Sequence, residues 1–346
     1  MQTNLKILAF GFLTLMVAAC SQPSTPEPTE KPEQIQEPKE LVIYSGRGQV
    51  LIQKLVDDFE AETGIKVNVR YDKSTQALAS RLVSEKDQSQ ADVFFAQDSG
   101  YLGALAAKGM LEKLPEDVLN TVAEYNRDTN GHWVATSGRA RVLVYDPRKY
   151  KEEDLPKSLA ELAKPEFAGV VGWAPSNASF QAHVSALRHL WGEEKTKKWL
   201  EDMSKIQPRI YPKNSPQVRG VSSGEIAIGW VNHYYLHKIK AGDPKLEAKN
   251  YSFKETGDAG NLMMLSGVGM VQGAKNQESA LKFINYLLSP KVQKRFTGEL
   301  YEYPTHPEVK AHTDLPAITD RMVRVNQEHL ADVGPTLTML RALKLQ

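Results

Sequence analysis

Strand-like and helix-like segments alternate through most of the chain, and this alternation limits the fold more than any other feature. Residues 41–44 are a short apolar run, 49–63 carry apolar residues at helical spacing, 65–69 alternate like a strand, and 91–95 form another apolar run. Gly64 is expected to end the first helix, because glycine adopts the left-handed conformation of a helix end without steric cost. The pattern predicts an α/β fold in which helices cover a mostly parallel sheet.

Polar side chains lie at four predicted strand-to-helix turns, which are 45–48, 97–99, 176–179 and 232–235. In an open α/β sheet, ligands bind at the carboxyl ends of the strands. Helix starts also favour anions, because their free amides and dipole are positive. We therefore expect the four turns to meet in one ligand cleft between two lobes. For the turn at 176–179, the alternative is that its polar side chains only cap the following helix.

The turn at 232–235 carries two adjacent tyrosines, Tyr234 and Tyr235. Asn232 is expected to cap the helix that follows, which places both phenols in its first turn, and Gly242 is expected to end it. A phenol has a pKa near 10 and is a poor anion at neutral pH unless a strong Lewis acid displaces its proton. Fe(III) does so, because hard cations prefer anionic oxygen. The alternative is that one ring packs in the core while the other faces solvent.

Several classes of function are disfavoured by the sequence. It contains no G-x-S-x-G, no Walker loop and no H-E-x-x-H motif, and its single cysteine lies at position 20, so we do not expect an enzyme. The net charge is +1 and no basic run is interleaved with aromatic residues. Nucleic acid is therefore not an expected partner.

The N-terminus has the pattern of a bacterial lipoprotein signal peptide over residues 1–20. Its apolar run at 7–17 is shorter than the roughly 20 residues that span a membrane. Residues 15–20 resemble a lipobox, in which Cys20 is lipidated, although an ordinary signal peptide with a chance cysteine is the alternative. Residues 21–40 are rich in proline and charged residues and predict an extended tether. We expect an exported protein that Cys20 anchors to the membrane, on its periplasmic or cell-surface face.

Over about residues 41–345, the chain resembles the ferric-iron-binding solute-binding proteins of bacterial ABC importers. Three segments that carry the resemblance are S-G-R-A-R-V-L-V-Y-D at 137–146, N-H-Y-Y at 232–235 and E-Y-P at 302–304. The resemblance implies a two-lobed periplasmic-binding-protein-like fold (type 2). Each lobe would be a mixed, mostly parallel sheet flanked by helices, with the ligand cleft between the lobes.

The resemblance also implies a division of the chain and a function. Lobe one would hold residues 41–138 and 265–318, and lobe two would hold 139–264 and 319–346. The protein would act as a monomer that captures ferric iron outside the cytoplasmic membrane and delivers it to an ABC permease with its ATPase. The alternative is the same fold binding an organic anion, an oxo-anion or a polyamine, with the tyrosines stacking on the ligand or donating hydrogen bonds.

Within that family, two adjacent tyrosines bind Fe(III), which carries over to Tyr234 and Tyr235. Family members also hold a small anion such as carbonate or phosphate beside the metal, and a chelator such as citrate would serve similarly. The positions that match the anion site here are Ser176, Asn177, Ala178, Ser179, Asn214 and Asn232. Arg139 or Arg141 could pair with a carbonate-like anion, because a guanidinium binds planar anions through two hydrogen bonds. Arg47 either favours an anionic iron complex or is a surface arginine.

Three positions depart from the family pattern. Gly48 stands where many members have a histidine ligand, Gln97 replaces the usual glutamate ligand, and Phe180 stands where some members have a third tyrosine. An anion, water, a chelator or a nearby group such as Asp98 would have to complete the coordination. The alternative for Asp98 is an ordinary helix cap, which is the interpretation we favour.

Two histidines, His233 and His237, lie one turn apart on the helix that carries the tyrosines. That spacing could bind a transition metal. We favour the alternative, in which both are solvated and point away from the tyrosine face.

Overall fold

The structure is a computed structural model, and it describes residues 40–72, 74–316 and 321–345. The predicted signal peptide, the lipidation site Cys20 and all but the last residue of the predicted tether lie outside the described residues. Within the described part of the chain, no helix has both the length and the apolar character needed to cross a membrane.

The secondary structure follows the predicted alternation. The α-helices of the described chain are α1 (Gln49–Thr63), α2 (Thr75–Glu85), α3 (Gly100–Ala106), α4 (Glu116–Leu119), α5 (Ala178–Trp191), α6 (Glu193–Lys205), α7 (Asn214–Ser222), α8 (Tyr234–Gly242), α9 (Gln277–Leu288), α10 (Pro290–Leu300), α11 (Glu328–Ala331) and α12 (Val333–Ala342). The strands are β1 (Glu40–Ser45), β2 (Lys66–Tyr71), β3 (Val93–Ala96), β4 (Val134–Tyr145), β5 (Val171–Trp173), β6 (Arg209–Ile210), β7 (Ile228–Asn232), β8 (Lys249–Tyr251), β9 (Met263–Met270) and β10 (Tyr303–Pro304).

The long strand β4 joins two groups of parallel strands. The strand order is β2-β1-β3-β9-β4-β7-β5-β6, and β8 and β10 also pair with β4. The first part of β4 is antiparallel to β9, with Ala140 opposite Met263, and the second part is antiparallel to β7, with Arg141 opposite Asn232. Strands β1 to β3 are parallel, as are β5 to β7. The predicted α/β class is confirmed, and β4 carries the chain from one parallel group to the other.

Each parallel group has its own apolar core. On the β1–β3 side, the rings of Phe59 in α1 and Phe283 in α9 pack edge to face with centroids 5.1 Å apart. On the β5–β7 side, Phe180 packs edge to face against Trp173 and Trp230. Aromatic pairs of this kind contribute about 0.5–1.5 kcal/mol beyond their buried area. The polar turns therefore lie at the ends of strands that belong to two separately packed cores.

The first helix has the bounds that the sequence predicts. It ends at Thr63, and Gly64 follows with φ of 69° while its N–H donates to the carbonyl of Glu60. A side chain at that φ would be strained, so glycine specifies the end of the helix.

Candidate functional site

Tyr234 and Tyr235 lie in the first turn of α8 with their rings stacked. The ring centroids are 4.3 Å apart and the ring planes differ by 28°. Both residues are half-buried, so neither ring is sealed in the core. The alternative with one ring inside and the other in solvent is therefore wrong. Because the rings lie side by side, both phenol oxygens can contact one ligand.

The start of α8 differs from the prediction in one respect. Strand β7 ends at Asn232, and His233 takes the cap position before Tyr234. No side chain of the described residues caps this helix. Asn232 instead accepts a hydrogen bond from Nη1 of Arg141 at 2.9 Å, so a buried guanidinium competes successfully for its amide oxygen. The helix ends at Gly242, as predicted.

The environment of Tyr234 opposes loss of its proton. Burial and the neighbouring Tyr235 raise the pKa of Tyr234 well above its ordinary value, although the charge of Arg139 lowers it in part. Tyr234 is therefore a neutral phenol at neutral pH. A ligand that binds its oxygen as a phenolate must displace the proton.

Arg141 is a fully buried guanidinium on β4. It donates Nε to Nδ1 of His183 at 3.2 Å and Nη2 to the carbonyl of Trp230 at 3.1 Å, and it lies 4.9 Å from the centroid of the Trp230 ring. No carboxylate among the described residues pairs with it. Burial lowers the pKa of Arg141 to about 9, and the nearby phenols offset that effect in part. A buried cation without an acidic partner is suited to binding an anion.

Asn177, Ser179 and Asn214 extend a polar network from Arg141. The Oδ1 atom of Asn177 accepts from the backbone N–H of Ser179 at 3.1 Å and from its hydroxyl at 2.5 Å. Asn214 donates Nδ2 to Oγ of Ser179 at 3.2 Å, and Nη1 of Arg141 lies 3.4 Å from the same oxygen. Asn177 also caps α5, so capping and a polar site coincide at this turn. Ser176 is exposed on the turn before the network.

Arg139 lies on the same face of β4 as Arg141, because residues two apart on a strand point the same way. Its Nη2 atom donates to Oδ1 of Asp98 at 2.6 Å and to the carbonyl of Gln97 at 2.5 Å. Asp98 is therefore an ion-pair partner and not the helix cap that we favoured. The charge of Arg139 is balanced within the protein, unlike that of Arg141.

Arg47 is fully buried, so the surface-arginine alternative is wrong. Its Nη1 atom donates to Oε2 of Glu302 at 3.1 Å and to Oγ of Ser266 at 2.7 Å, and Ser137 donates to the same carboxylate oxygen. Burial opposes ionisation of Glu302, but Arg47 and Arg139 outweigh it and hold the pKa of that carboxyl below its ordinary value. Glu302 balances the charge of Arg47, whereas the Nε and Nη2 atoms of Arg47 have no hydrogen-bond partner among the described residues. The predicted role of Arg47 toward an anion therefore stays a prediction.

The three positions that depart from the family pattern lie in different surroundings. Gly48 is exposed at the start of α1. The carbonyl of Gln97 accepts from Arg139 and from Oγ of Ser266. Phe180 is buried between tryptophans in the β5–β7 core, so it belongs to the core and not to the site.

The expectation of a solvated histidine pair is wrong. His233 is fully buried, and His237 is half-buried with its ring stacked on Tyr301 at 5.3 Å between centroids. Among the described residues, no group of three or more His, Cys, Asp or Glu side chains could hold a metal ion. The phenols are therefore the candidate metal ligands on this helix.

A cavity of about 270 Å³ lies between two of the predicted turns. Gln97 and Asp98 line one side, and Ala178 and Gln181 at the start of α5 line another. This volume is below the roughly 300–1,000 Å³ of typical small-molecule pockets. The two tyrosines of α8 and Arg141 do not line it.

Sequence reasoning missed two polar residues of this region, His183 and Glu302. His183 lies four residues after Ser179 and therefore on the same helix face, which was an available signal beside a suspected anion site. Glu302 lies in the E-Y-P segment at 302–304 that carried the family resemblance, but no role in the site was predicted for it. Its partner Arg47 is 255 residues away in sequence, so no local pattern connects them.

Comparison with known proteins places this architecture in a family. Residues 88–328 match the family described as bacterial extracellular solute-binding protein. The chain belongs to this family. This solute-binding protein is 34% identical to the major ferric iron-binding protein of Neisseria meningitidis over 283 residues, which are 81% of this chain and 85% of that one. It is 32% identical to the Fe(3+)-binding periplasmic protein of Serratia marcescens over 302 residues, 85% of this chain and 88% of that one.

Solved structures agree with the sequence comparison. Iron-bound HitA from Pseudomonas aeruginosa superposes with a TM-score of 0.81 at 29% identity, covering 88% of this chain and 99% of that one. A Trichodesmium protein in complex with iron and citrate ligands gives a TM-score of 0.76 at 26% identity, covering 89% and 100%. The predicted two-lobed binding-protein fold and the family resemblance are confirmed, and the solute-binding protein is not an enzyme. The lobe boundaries stay a prediction.

Proposed function

We propose that this protein captures ferric iron through the phenolate oxygens of Tyr234 and Tyr235 and delivers it to an ABC permease with its ATPase. The observation that carries the proposal is the stacked phenol pair at the start of α8. The helix dipole favours negative charge at that end. The names of the relatives from Neisseria and Serratia, both ferric iron-binding, support the same cargo.

The charges around the phenols support an anion that binds together with the metal. Two phenolates leave one positive charge on Fe(III), and Arg141 adds a second that no carboxylate of the described chain balances. Lys238 lies 5.5 Å from the centroid of the Tyr234 ring and adds to the positive field. Carbonate, phosphate or the carboxylates of citrate would compensate this charge and fill coordination positions. The iron and citrate complex of the Trichodesmium protein supports this class of ligand.

The network around Arg141 would hold that anion. Asn177, Ser179, Asn214 and Asn232 supply amide and hydroxyl groups beside the guanidinium. Charge-assisted hydrogen bonds of this kind are stronger than neutral ones. In this proposal Arg139, paired with Asp98, orients the turn at 97–99 and lowers the pKa of Tyr234, and it does not itself bind the anion.

Uptake and release would follow from the protonation of the phenols. Fe(III) displaces the phenol protons on binding, and closure of the lobes excludes water that would compete for the metal. Lobe opening, reduction of the metal, protonation of the tyrosines or loss of the anion would each weaken binding. The lobes of the proposal are residues 41–138 with 265–318 and 139–264 with 319–346, and the passage of β4 between the two parallel groups supports this division.

The site of action in this proposal is outside the cytoplasmic membrane. Cys20 would carry the lipid anchor, and residues 21–40 would let the binding protein reach the permease as a monomer. The periplasmic location in the name of the Serratia relative supports export.

Metal analysis and calorimetry of the mature protein test the proposal. We expect iron to be retained through purification and a stripped sample to bind ferric citrate and ferric nitrilotriacetate. Zinc and manganese salts serve as controls. A stripped protein without affinity for any ferric complex would contradict the proposal, and binding of phosphate or a polyamine alone would favour the alternative ligand class.

A further inference from the structure

His233 is the residue immediately before the tyrosine pair, and all of its polar atoms are hydrogen-bonded. Its backbone N–H donates to the carbonyl of Ala140 at 3.0 Å, and its carbonyl accepts from Nδ2 of Asn250 at 2.9 Å. Its ring accepts at Nδ1 from the N–H of Ala140 at 3.1 Å and lies with Nε2 2.7 Å from the carbonyl of Tyr301. The residue is fully buried.

The contacts of the ring determine its tautomer. A carbonyl oxygen only accepts, so Nε2 must carry the proton that it donates to Tyr301. Nδ1 is then the acceptor for the N–H of Ala140. The neutral ring thus makes one donated and one accepted hydrogen bond, each to a different segment of backbone.

The hydrogen bonds of His233 to Ala140 join the start of α8 to the part of β4 that carries the two arginines. Ala140 lies between Arg139 and Arg141 on β4. The β4–β7 ladder pairs Arg141 with Asn232, and the chain then turns into α8. The backbone N–H of His233 donates to the carbonyl of Ala140, and its ring accepts from the N–H of Ala140. These two hydrogen bonds extend the β4–β7 ladder by one residue pair beyond Asn232, the last residue of β7. This added pair lies between the two arginines of β4 and the start of the tyrosine helix.

The bond to Tyr301 joins a third segment to the same point. Tyr301 is a non-glycine residue in the left-handed conformation, with φ of 55° and ψ of 35°, at the end of α10. The ring of Tyr303 packs on the His233 ring with centroids 4.8 Å apart, and Tyr303 pairs with Gly138 of β4. Residues 301–303, which flank the buried Glu302, are thereby held against the start of the tyrosine helix.

We propose that His233 is a positioning residue that sets the geometry of Tyr234 and Tyr235 relative to the two arginines of β4. The inference rests on the proposed function, because geometry matters here only if the phenols bind a metal together. Residues that orient metal ligands typically change metal affinity by about 10- to 100-fold when substituted. A histidine that merely filled the core would be replaceable by an apolar side chain of similar size.

Three substitutions of His233 test its two ring hydrogen bonds, to Ala140 and to Tyr301, together and one at a time. His233→Leu removes both, His233→Asn places an amide oxygen near the position of Nδ1, and His233→Gln reaches the position of Nε2 with a donor. His237→Leu is the matched control, because His237 is one turn further along α8 and packs on Tyr301 without a bond to Ala140. Ferric affinity, the phenolate-to-iron absorption band and thermal unfolding of the metal-free protein are measured for each.

We expect His233→Leu to weaken ferric binding about 10- to 100-fold and to shift the absorption band. His233→Asn should recover most of the affinity, and His237→Leu should stay within about threefold of wild type. If His233→Leu does not fold, His233→Asn and His233→Gln carry the test, and equal loss in both overturns the role of the Ala140 bond. A folded His233→Leu protein with wild-type affinity and an unshifted band overturns the inference. A wild-type protein that binds no ferric complex instead overturns the proposed function.

Discussion

Replacing Arg141 by methionine should abolish the dependence of iron binding on a small anion. The substitution removes the buried guanidinium that has no acidic partner but keeps an apolar side chain against Trp230. Burial lowers the pKa of Arg141 to about 9. An ordinary guanidinium has a pKa of about 12.5 or above, and each pKa unit corresponds to about 1.4 kcal/mol. Burial, after the partial offset by the nearby phenols, therefore disfavours the charge by about 5 kcal/mol.

Most of that cost is already offset in the metal-free protein. Arg141 donates to His183, Ser179, Asn232 and Trp230, and each bond contributes about 1 kcal/mol. Methionine cannot replace these bonds and leaves the buried acceptors of His183 and Asn232 without a donor. The metal-free Arg141→Met protein should therefore be less stable than wild type by about 1–3 kcal/mol. A bound anion adds hydrogen bonds between charged groups of about 1.5–3 kcal/mol, so the variant should lose roughly 10- to 150-fold in anion-dependent ferric affinity.

Competition with a chromophoric chelator measures this in carbonate-free buffer, with and without bicarbonate, phosphate or citrate. Wild-type affinity should rise with the anion, whereas Arg141→Met affinity should stay flat. Arg188→Met is the control, because Arg188 is also nearly buried but pairs with Glu193 and Asp332. If Arg141→Met keeps the wild-type response to every anion, the assignment of Arg141 is refuted.

Three further predictions follow from other parts of the structure. Ferric affinity should fall as the pH is lowered, because the raised pKa of Tyr234 keeps its phenol protonated and binding must release that proton. Competition with a chelator between pH 6 and 8 measures the affinity, and an affinity that stayed constant would contradict the prediction. Glu302→Gln should destabilise the protein by about 3–5 kcal/mol in urea unfolding, because it leaves Arg47 buried without its partner, and wild-type stability would show that the pair is not needed. Phe180→Ala should lower the unfolding free energy by about 3–5 kcal/mol while the folded protein still binds iron, and loss of binding without loss of stability would return Phe180 to the site.

The order of strands and helices could be predicted because it depends on local patterns. Apolar periodicity and Gly64 defined α1 to the residue, and the polar turns marked the carboxyl ends of strands. The stacked tyrosines are also where the sequence placed them, at the start of α8. In each case neighbouring residues determine the outcome, so no distant contact is needed.

The roles of the arginines could not be predicted, because pairing across the sheet decides them. Arg47 meets Glu302 and Arg139 meets Asp98 only in the folded chain. Arg141 is also buried in this region, but no acidic side chain of the described residues pairs with it. Asn232 does not cap α8 as expected, because its amide oxygen accepts a hydrogen bond from Arg141.

His233 shows a different limit of sequence reasoning. We expected His233 and His237 to be solvated because they would point away from the tyrosine face. Instead, His233 is hydrogen-bonded to the backbone of β4 and to the carbonyl of Tyr301. Only the register between β4 and β7 brings Ala140 opposite the histidine. That register is a property of the whole sheet.

The absorption spectrum of the iron-loaded protein tests the central claim most directly, since a phenolate bound to Fe(III) has a visible charge-transfer band that no other ligand set proposed for this site produces. Wild type should show the band, Tyr234→Phe and Tyr235→Phe should each weaken or shift it, and the double variant should be colourless while remaining folded. A double variant that binds ferric iron with the wild-type spectrum would contradict the assignment of the tyrosine pair.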